Sequence, residues 1–349
     1  MTQKGILLIN LGTPEAPTAT AVKTYLDEFL MDKNVIPLPF PLRWFLVKKL
    51  ITPKRSPESA HAYQLVWDKE KGSPLLWISQ NLTDEIQKLE PHTRVLLGMR
   101  YGNPSIKKAI QTFKKEGIKD IHVVPLYPQY AKATTYSSIE NARSILKDEG
   151  FDLNRIQWVE WYFDDQRWIQ NICASIEPLW NKNQPDYLLC SYHGLPMKAV
   201  LPFKKGISQC WHNQRCCSHK DEPWCYRSQC IQSTLAIQKR LNLDSGKIGS
   251  SFQSRLGKSR WVQPYTTDVF ESLSKKGIKK LMIVCPAFAV DCLETLEEIE
   301  TQGKEQWMKL GGTEFHMVPA LNSNKEWAEA LLQILRDQNK LTSTPHFFN

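Results

Sequence analysis

A row of acidic residues follows one apolar run of the sequence and could carry proton-transfer or metal chemistry. Residues 281–284 predict a buried strand, and the residues from Asp291 onward predict a helix. At about 100° per residue, Asp291, Glu294 and Glu298 fall on one narrow face of that helix. Such a face is also typical of an ordinary solvated helix, so the row alone does not establish a site. The opposite face, which we expect to pack on the sheet, consists of Leu293, Leu296 and Ile299.

A histidine at the end of another apolar run is a second candidate for the same chemistry. Residues 187–191 predict a strand, and the motif Ser-Tyr-His-Gly-Leu-Pro at 191–196 begins at its carboxyl end. Open α/β sheets bind their ligands at the carboxyl ends of strands, and the glycine after His193 leaves backbone room for one. Imidazole accepts protons near neutral pH, and Fe²⁺ binds imidazole and carboxylate together. Because a lone histidine is more often structural, His193 needs partners to count as a site.

Three further strand-to-helix turns contain groups that a flat ligand needs. They lie at residues 10–14, 98–104 and 125–138; the second carries a cation and an aromatic ring, and the third is dense in aromatics and hydroxyls. Each turn alone is typical of many proteins. At one edge of a parallel sheet, however, they would line a deep aromatic slot with a few placed polar groups.

The elements that must position these residues alternate between strand and helix, which favours parallel sheets covered by helices. The sequence therefore predicts an α/β fold with two similar doubly wound, Rossmann-like domains and a cleft between them, divided as 1–165 and 166–349. Predicted strands are 6–10, 95–99, 121–126, 187–191 and 281–284, predicted helices are 21–30, 104–116 and 231–241, and 261–265 is a short extended piece.

Composition limits the classes of protein to which the chain can belong. The 349 residues are 42% hydrophobic and 23% charged, as in globular proteins, and no run of 18 apolar residues occurs. The apolar run near the N-terminus is too short for a signal peptide, so we expect a cytosolic protein. A net charge of +9 favours an anionic partner such as nucleic acid, anionic lipid or a small carboxylate. We expect no nucleic-acid partner, because no cationic run or reader motif is present.

Residues 35–51 are unusually rich in proline and in large apolar side chains. A helix that is apolar on nearly every side is normally buried in a core. The alternative is an exposed lip, spanning about 35–55, whose Phe40, Trp44 and Phe45 enter the surface of an anionic membrane beside Arg43, Lys48 and Lys49. Three prolines in five residues favour the lip.

Taken together, these motifs resemble those of ferrochelatases, the family that inserts ferrous iron into a porphyrin at the end of haem synthesis. The resemblance covers residues 6 to about 322, and six stretches occur in the family's order. They are LLINLGTPEAPT, GMRYGNPSI, VPLYPQYAKATTYSS, SYHGLP, FQSRLGKSRWVQPYT and CPAFAVDCLETLEEI. The resemblance implies a chelatase-type pair of Rossmann-like lobes and a lyase activity.

The resemblance also implies roles for individual residues. His193 matches the histidine that accepts pyrrole protons or contacts the metal, and Glu294 matches the essential acid opposite it. Asp291 and Glu298 match positions that continue the acidic path. Positions that match contacts to the macrocycle or its edge are Leu11, Arg100, Tyr101, Gln129, Ser137, Trp261 and Phe288.

Five of the nine cysteines lie within residues 210–230, which look like an insertion relative to the plainest family members. A long chain with no secretion signal favours a metal or cluster site over disulfides. The resemblance favours a 2Fe–2S cluster held by Cys210, Cys217, Cys225 and Cys230, with Cys216 as the alternative to Cys217. A zinc site that also uses His212 and His219, or free thiols, are the other interpretations. We expect Cys173, Cys190 and Cys285 to be buried thiols, and we assign no role to Cys292.

The resemblance thus implies an enzyme that inserts ferrous iron into protoporphyrin IX to form protohaem. Protoporphyrin IX is favoured over coproporphyrin III because the apolar lip suits a membrane-borne, less polar ring. Peripheral contact with the inner face of the cytoplasmic membrane follows from the same lip. The alternatives are a non-catalytic haem or metal carrier on the same scaffold and, more distantly, zinc-dependent nucleic-acid binding. The sequence does not predict an oligomeric state.

Overall fold

The structure is a computed structural model that describes residues 4–200, 217, 224–255, 257, 259–337 and 341–345. Contacts divide the chain into two compact units. The first contains the described residues up to 127, those from 132 to 161, and those from 323 onward. The second contains residues 128–131 and the described part of 162–322.

The first unit is built on a parallel sheet of four strands, β1 (Lys4–Gly12), β2 (Thr93–Tyr101), β3 (Asp120–Pro125) and β4 (Ile156–Trp158), in the order β2-β1-β3-β4. Ile6 to Ile9 are all buried, as a strand covered on both faces requires. The helices between these strands are α1 (Ala19–Leu30), α2 (Phe40–Phe45), α3 (Thr52–Val66), α4 (Pro74–Leu89), α5 (Ile106–Lys115) and α6 (Ser137–Asp148). Leu46–Ile51 and Lys132–Tyr136 are π-helical, and Leu153–Arg155 is a short 3₁₀ turn.

The second unit repeats this plan. Its parallel strands are β5 (Tyr187–His193), β6 (Ile248–Gln253), β7 (Lys280–Val284) and β8 (Glu314–Val318), in the order β6-β5-β7-β8. Its helices are α7 (Gln166–Asn183), α8 (Met197–Val200), α9 (Tyr226–Leu241), α10 (Thr266–Lys275) and α11 (Lys304–Lys309), and Glu294–Gly303 is π-helical. In each unit the first strand is central, the second lies on one side of it and the third on the other. The prediction of two similar doubly wound parallel sheets is therefore confirmed.

Each sheet has its own apolar core. In the first unit, Leu7, Ile110, Phe113 and Trp158 belong to one buried cluster. In the second, a separate cluster contains Leu189, Phe270, Ile283 and Trp307. Each sheet is therefore packed against its own set of apolar side chains.

The last helix, α12 (Lys325–Arg336), belongs to the first unit although it follows the second in sequence. Asn324 caps its N-terminus by accepting a hydrogen bond from the Trp327 N–H at 3.1 Å. The helix packs against α4 and buries Trp327 and Leu331 completely. The predicted division of the chain at residue 165 is close to where the contacts change, at 161–162, but the contacts place the end of the chain with the first unit.

Candidate active site

His193 is the last residue of β5 and lies at the carboxyl edge of the second sheet. The observed strand is thus two residues longer than the predicted one, which ended at residue 191. The Nδ1 atom lies 2.6 Å from the carbonyl oxygen of Gly194. Because a carbonyl oxygen can only accept, Nδ1 must carry the proton of this hydrogen bond. In the neutral imidazole Nε2 is therefore the nitrogen that can accept a proton.

Close backbone packing fixes the turn that follows His193. A Cβ atom on Gly194 would stand 2.6 Å from the carbonyl oxygen of Gln253 and 3.3 Å from the Trp261 ring, so a larger residue would not fit. The Tyr226 hydroxyl donates to the His193 carbonyl oxygen at 2.7 Å. These contacts place the predicted ligand residue Trp261 against the same turn as the histidine.

Two residues of the acidic row, Glu294 and Glu298, lie in a π-helix rather than in the α-helix that the sequence predicts. From Glu294 to Gly303 the backbone has π-helical hydrogen bonding, i to i+5, so the spacing of about 100° per residue does not apply. Of the three residues expected on the sheet-facing side, only Ile299 is buried, whereas Leu293 and Leu296 are half-buried. Thr295 and Glu297 are buried as well. That part of the prediction was wrong because the helix is wider than an α-helix; π-helical turns occur often at functional sites.

Glu298 receives two short hydrogen bonds from Ser254 and a longer one, at 3.4 Å, from the Gln253 side-chain amide. The Ser254 N–H donates to Oε1 at 2.7 Å and the Ser254 hydroxyl donates to Oε2 at 2.5 Å. Burial raises the pKa of Glu298; the Ser254 hydroxyl and His193 lower it, and Glu294 raises it. The net shift is upward. His193, Glu294 and Glu298 therefore share one electrostatic environment in the second unit.

Ser254 itself has a backbone φ of +64°, in the left-handed region that serine seldom adopts. This conformation lets its N–H and hydroxyl both point at the Glu298 carboxylate. Backbone strain of this kind clusters at functional sites. We call the two hydrogen bonds from Ser254 to Glu298 the clamp. Nothing in the local sequence predicts it, although Ser254 lies within the FQSR stretch.

Asp291 has a different environment from Glu298, although both belong to the predicted acidic path. Its Oδ2 accepts from the Asn322 amide at 2.7 Å, and its Oδ1 accepts from the Thr295 hydroxyl at 2.9 Å. The Asp291 N–H donates in turn to the Asn322 side-chain oxygen at 2.8 Å. Both carboxylate oxygens are thus engaged in holding the turn before the π-helix, which favours a structural part in the site.

Gln253, which the sequence did not single out, connects the elements of this region. Its side-chain oxygen accepts from the Ser191 hydroxyl at 2.7 Å, and its side-chain nitrogen donates to the Glu294 carbonyl oxygen at 2.8 Å. Only 4% of Gln253 is exposed. The amide thus ties β5, β6 and the start of the π-helix together. A buried amide with both ends paired restricts how far the acids can move relative to His193.

In the first unit, the predicted ligand residues also lie at the ends of neighbouring strands. Arg100 and Tyr101 end β2, and Leu11 lies beside them near the end of β1. Gly12 has φ +111°, and a Cβ atom there would stand 1.8 Å from the Tyr101 carbonyl oxygen, so the two strand ends approach as closely as glycine allows. Ser137 begins α6 and is completely buried. The Arg100 Nε donates to the Ser137 hydroxyl at 2.8 Å.

Two further predicted contacts, Phe288 and Gln129, lie in the second unit. The Phe288 ring is 6.4 Å from the His193 ring, centroid to centroid, with the two ring planes at 64° to each other. Gln129 is 2% exposed and donates from its amide to the Ser233 hydroxyl and the Pro286 carbonyl oxygen, both at 3.2 Å. Phe288 is therefore part of the histidine's surroundings, whereas Gln129 is held inside the unit.

Only three of the five clustered cysteines lie in the described part of the chain, where Cys217, Cys225 and Cys230 are all buried. Cys210, Cys216, His212 and His219 lie outside the described residues. The Arg227 guanidinium donates to the Cys217 sulfur at 2.7 Å. Among the described residues, no three His, Cys, Asp or Glu side chains are arranged to hold one metal ion, so the three cysteines alone do not form the predicted ligand set.

The other cysteines behave as predicted. Cys173, Cys190 and Cys285 are buried. Burial raises the pKa of Cys173 and of Cys190 to about 12, so both remain protonated thiols at neutral pH. Cys292 is also buried, next to Glu294.

The segment predicted as a lip exposes its large apolar side chains. Phe40 and Leu42 are each 62% exposed, and Trp44, Phe45 and Leu50 are exposed too, so the interpretation as a buried helix was wrong. Two of the cations have partners within the protein. Lys48 pairs with Asp27 at 2.9 Å, and Arg43 donates to the Leu38 carbonyl oxygen at 2.7 Å. No helix in the described part of the chain combines the length and the apolar character needed to cross a membrane.

Comparison with known proteins gives one family for nearly the whole chain. The family model described as Ferrochelatase matches residues 3–339. Curated relatives with the name Ferrochelatase include one from Legionella pneumophila (strain Lens), 42% identical over 96% of this chain and 99% of the relative. One from Azotobacter vinelandii is 40% identical over 96% and 99%, and one from Coxiella burnetii (strain Dugway 5J108-111) is 41% identical over 97% and 94%.

A solved structure with little sequence similarity to this chain has a similar fold. SirB from Bacillus subtilis with Fe³⁺ superposes with a TM-score of 0.53, covering 96% of this chain and 94% of its own. The two sequences are 11% identical, so the likeness shows the fold alone.

Proposed function

Because the chain belongs to the ferrochelatase family and is a lyase of the terminal step of haem biosynthesis, we propose that its porphyrin is protoporphyrin IX and that His193 and Glu294 carry the reaction. Ferrous iron is the metal substrate. The observation that carries the assignment of residues is the second unit's strand edge, where a histidine with Nδ1 committed to a carbonyl shares its surroundings with two glutamates.

The chemistry requires that two pyrrole protons leave the ring as iron enters it. His193 Nε2 accepts one of these protons, a contribution that typically accelerates a reaction by ~10²–10⁴-fold. The carboxylates of Glu294 and Glu298 receive protons in turn and release them to water. The raised pKa of Glu298 suits this task, because a carboxyl whose pKa lies closer to neutral can both take up and release a proton.

Porphyrin binding provides the remaining part of the mechanism. A planar free-base ring is too crowded to admit iron, so contacts at its periphery must tilt a pyrrole out of the plane. Binding energy offsets this distortion, whose usual scale is ~1–5 kcal/mol. We assign the peripheral contacts to Leu11, Arg100, Tyr101, Gln129, Ser137, Trp261 and Phe288.

An anaerobic insertion assay with ferrous iron tests this function and compares protoporphyrin IX with coproporphyrin III. We expect a higher kcat/KM for protoporphyrin IX, a loss of insertion in His193→Ala, and retained porphyrin binding in that variant. The exposed His61 provides the matched control, since His61→Ala should leave turnover unchanged. Wild-type turnover in His193→Ala would remove the histidine from the mechanism. A higher kcat/KM for coproporphyrin III would show that coproporphyrin III, and not protoporphyrin IX, is the preferred substrate.

We also propose that Cys210, Cys217, Cys225 and Cys230 hold a 2Fe–2S cluster, with Cys216 as the alternative to Cys217. Support comes from the donor set: three of these cysteines are buried, and Arg227 beside Cys217 would stabilise a thiolate. Iron insertion transfers no electrons, so no catalytic step involves the cluster.

Visible absorption, iron and sulfide of aerobically purified protein test this proposal. We expect a coloured protein whose iron and sulfide are lost in Cys225→Ser and kept in Cys173→Ser, which removes a buried cysteine outside the group. Colourless protein that contains zinc would establish the zinc site instead, and protein without either metal would overturn both.

We further place the protein in the cytosol with the exposed lip on the inner face of the membrane. The exposed Phe40, Leu42 and Phe45 support this, and Lys49 lies 5.5 Å over the Trp44 ring, where the cation and the aromatic ring can meet lipid together. Co-sedimentation with anionic and with neutral vesicles tests the placement. We expect binding to anionic vesicles that falls in Phe40→Ser/Phe45→Ser and persists in Leu235→Ser, an exposed leucine on α9. Equal losses in both variants would contradict it.

A further inference from the structure

Asp32, in the turn after α1, is the centre of a buried hydrogen-bond network in the first unit. Its side chain is 4% exposed. One oxygen, Oδ2, accepts from Arg100 Nη2 at 2.5 Å, from the Tyr101 hydroxyl at 2.8 Å and from the Ser137 hydroxyl. The other oxygen accepts from the Asn34 N–H at 2.7 Å. Three residues that we assign to porphyrin contact are thus held by one carboxylate.

The guanidinium of Arg100 is fixed from several sides. Its Nε donates to the Ser137 hydroxyl and, at 3.2 Å, to the Ser137 carbonyl oxygen, while Nη2 donates to Asp32. The Arg100 Cζ atom lies 4.5 Å from the centre of the Tyr101 ring. An arginine held in this way has lost the freedom to turn toward an incoming carboxylate.

The charge of this network is also fixed. Burial alone would raise the pKa of Asp32, but hydrogen bonds from Ser137 and Asn34 and the charge of Arg100 lower it overall, so the carboxylate stays ionised. Burial raises the pKa of Tyr101, which keeps the phenol protonated as a donor. The network therefore carries one positive and one negative charge at neutral pH.

We propose that Asp32 is a positioning residue that fixes Arg100 and Ser137 and cancels the charge of Arg100, so that this part of the porphyrin site accepts an uncharged edge of the macrocycle. The inference rests on the proposed contacts of Arg100 and Ser137 with the porphyrin. A carboxylate brought to Arg100 would meet the negative charge of Asp32, which disfavours it.

The proposal makes Asp32 a determinant of porphyrin choice. Protoporphyrin IX carries vinyl groups at two positions where coproporphyrin III carries carboxylates. A paired Arg100 suits a vinyl or methyl edge, whereas an unpaired Arg100 would attract the additional carboxylate.

Kinetics of the full-length protein with both porphyrins test the proposal. In Asp32→Asn, we expect kcat/KM for coproporphyrin III relative to protoporphyrin IX to rise on the order of tenfold, through KM, while KM for ferrous iron stays unchanged. In Arg100→Gln, which leaves Asp32 negative, the same ratio should fall. In Asp32→Glu, which keeps the charge, it should stay near the wild-type ratio.

Asp27 provides the matched control, since it is a mostly buried carboxylate of the same unit held by Lys23, Lys48 and Thr52. Asp27→Asn should leave the porphyrin ratio unchanged even if it lowers stability. A shift of the ratio in Asp27→Asn equal to that in Asp32→Asn would overturn the proposal. So would shifts of the same sign in Asp32→Asn and Arg100→Gln. If Asp32→Asn does not fold, the sign of the shift in Arg100→Gln still decides.

The outcome can be separated from that of the proposed function. If the wild-type protein inserts iron into neither porphyrin, the proposed function itself is contradicted. Wild-type protein that inserts iron, with a ratio that no substitution in the network changes, removes only the role of Asp32. Because each variant is compared with the wild-type ratio, the test holds whichever porphyrin the wild type prefers.

Discussion

Burial acts to raise the pKa of Asp32 in the first unit and of Glu298 in the second, but the two pKa values move in opposite directions. Asp32 receives several hydrogen bonds, one of them from the cation Arg100, and its pKa falls in spite of burial. Glu298 is clamped by Ser254 and lies near a second acid, Glu294, and its pKa rises. Burial is therefore not what separates them. The number and the charge of the neighbouring donors decide the direction.

The difference indicates two kinds of polar site. The network around Asp32 has a fixed charge and a fixed geometry, which suits recognition of a rigid ring. The group around Glu298 combines carboxylates with an imidazole, the side chains that most often act as general acids and bases, which suits proton transfer. Substitutions in the first should therefore change KM for the porphyrin, and substitutions in the second should change kcat.

The largest expected effect separates the two sites through Glu294. Glu294→Gln keeps the shape of the side chain but removes a proton acceptor, so kcat should fall by ~10²–10⁴-fold. The KM and the binding of porphyrin, measured by quenching of tryptophan fluorescence, should stay near the wild-type values. The exposed Glu300 in the same π-helix is the matched control, and Glu300→Gln should leave kcat unchanged. A fall in porphyrin affinity in place of kcat would contradict the division between the sites.

A smaller effect is expected from the clamp on Glu298. Ser254→Ala removes the hydroxyl that donates at 2.5 Å and lowers the pKa of Glu298. The pKa should then rise further, and the acidic limb of the pH–rate profile should move to higher pH because Glu298 must be ionised to accept a proton. At about neutral pH we expect kcat to fall on the order of tenfold, as for loss of a hydrogen bond to a charged group.

Ser250, on strand β6 four residues before Ser254, provides the control for this prediction. Its hydroxyl donates to the Thr234 hydroxyl at 2.8 Å rather than to Glu298. Ser250→Ala should leave the pH–rate profile in place. An acidic limb that moves equally in both variants would show that the strand, and not the clamp, sets the pH dependence.

Much of the fold could be predicted from the sequence because its signals are local. Short apolar runs followed by turns predict the strands β1, β5 and β7. Parallel strands bring their carboxyl ends to one edge of the sheet. That edge is why His193 lies near Glu298, although more than 100 residues separate them in the chain.

What the sequence did not predict depends on contacts between distant segments. Asp32 meets Arg100 and Ser137 from 68 and 105 residues away, and no local spacing reveals that pairing. The return of α12 to the first unit is likewise decided by packing on α4. The π-helix at Glu294–Gly303 was not predicted, because the spacing of apolar residues in its sequence also fits the period of an α-helix.

The smallest expected effect concerns stability, where the two carboxylates should act with opposite signs. The folded-state pKa of Asp32 is lowered, so ionised Asp32 stabilises the fold above its ordinary pKa, and this contribution is lost as pH falls through the folded-state value. The folded-state pKa of Glu298 is raised, so its contribution is present below the ordinary glutamate pKa and is lost as pH rises through the folded-state value.

At about pH 8, Glu298→Gln should therefore raise the free energy of unfolding and Asp32→Asn should lower it, each on the order of 1 kcal/mol, the free energy that accompanies a roughly tenfold change in proton affinity. Urea unfolding at several pH values measures both. The gain in Glu298→Gln should shrink as pH falls below the raised folded-state pKa of Glu298, whereas the loss in Asp32→Asn should persist until more acidic pH, because only there does Asp32 become protonated. The exposed Glu271 is the control, since Glu271→Gln should change stability little at any pH. Effects of one sign in Asp32→Asn and Glu298→Gln would mean that burial, rather than the donors around each carboxylate, governs both acids.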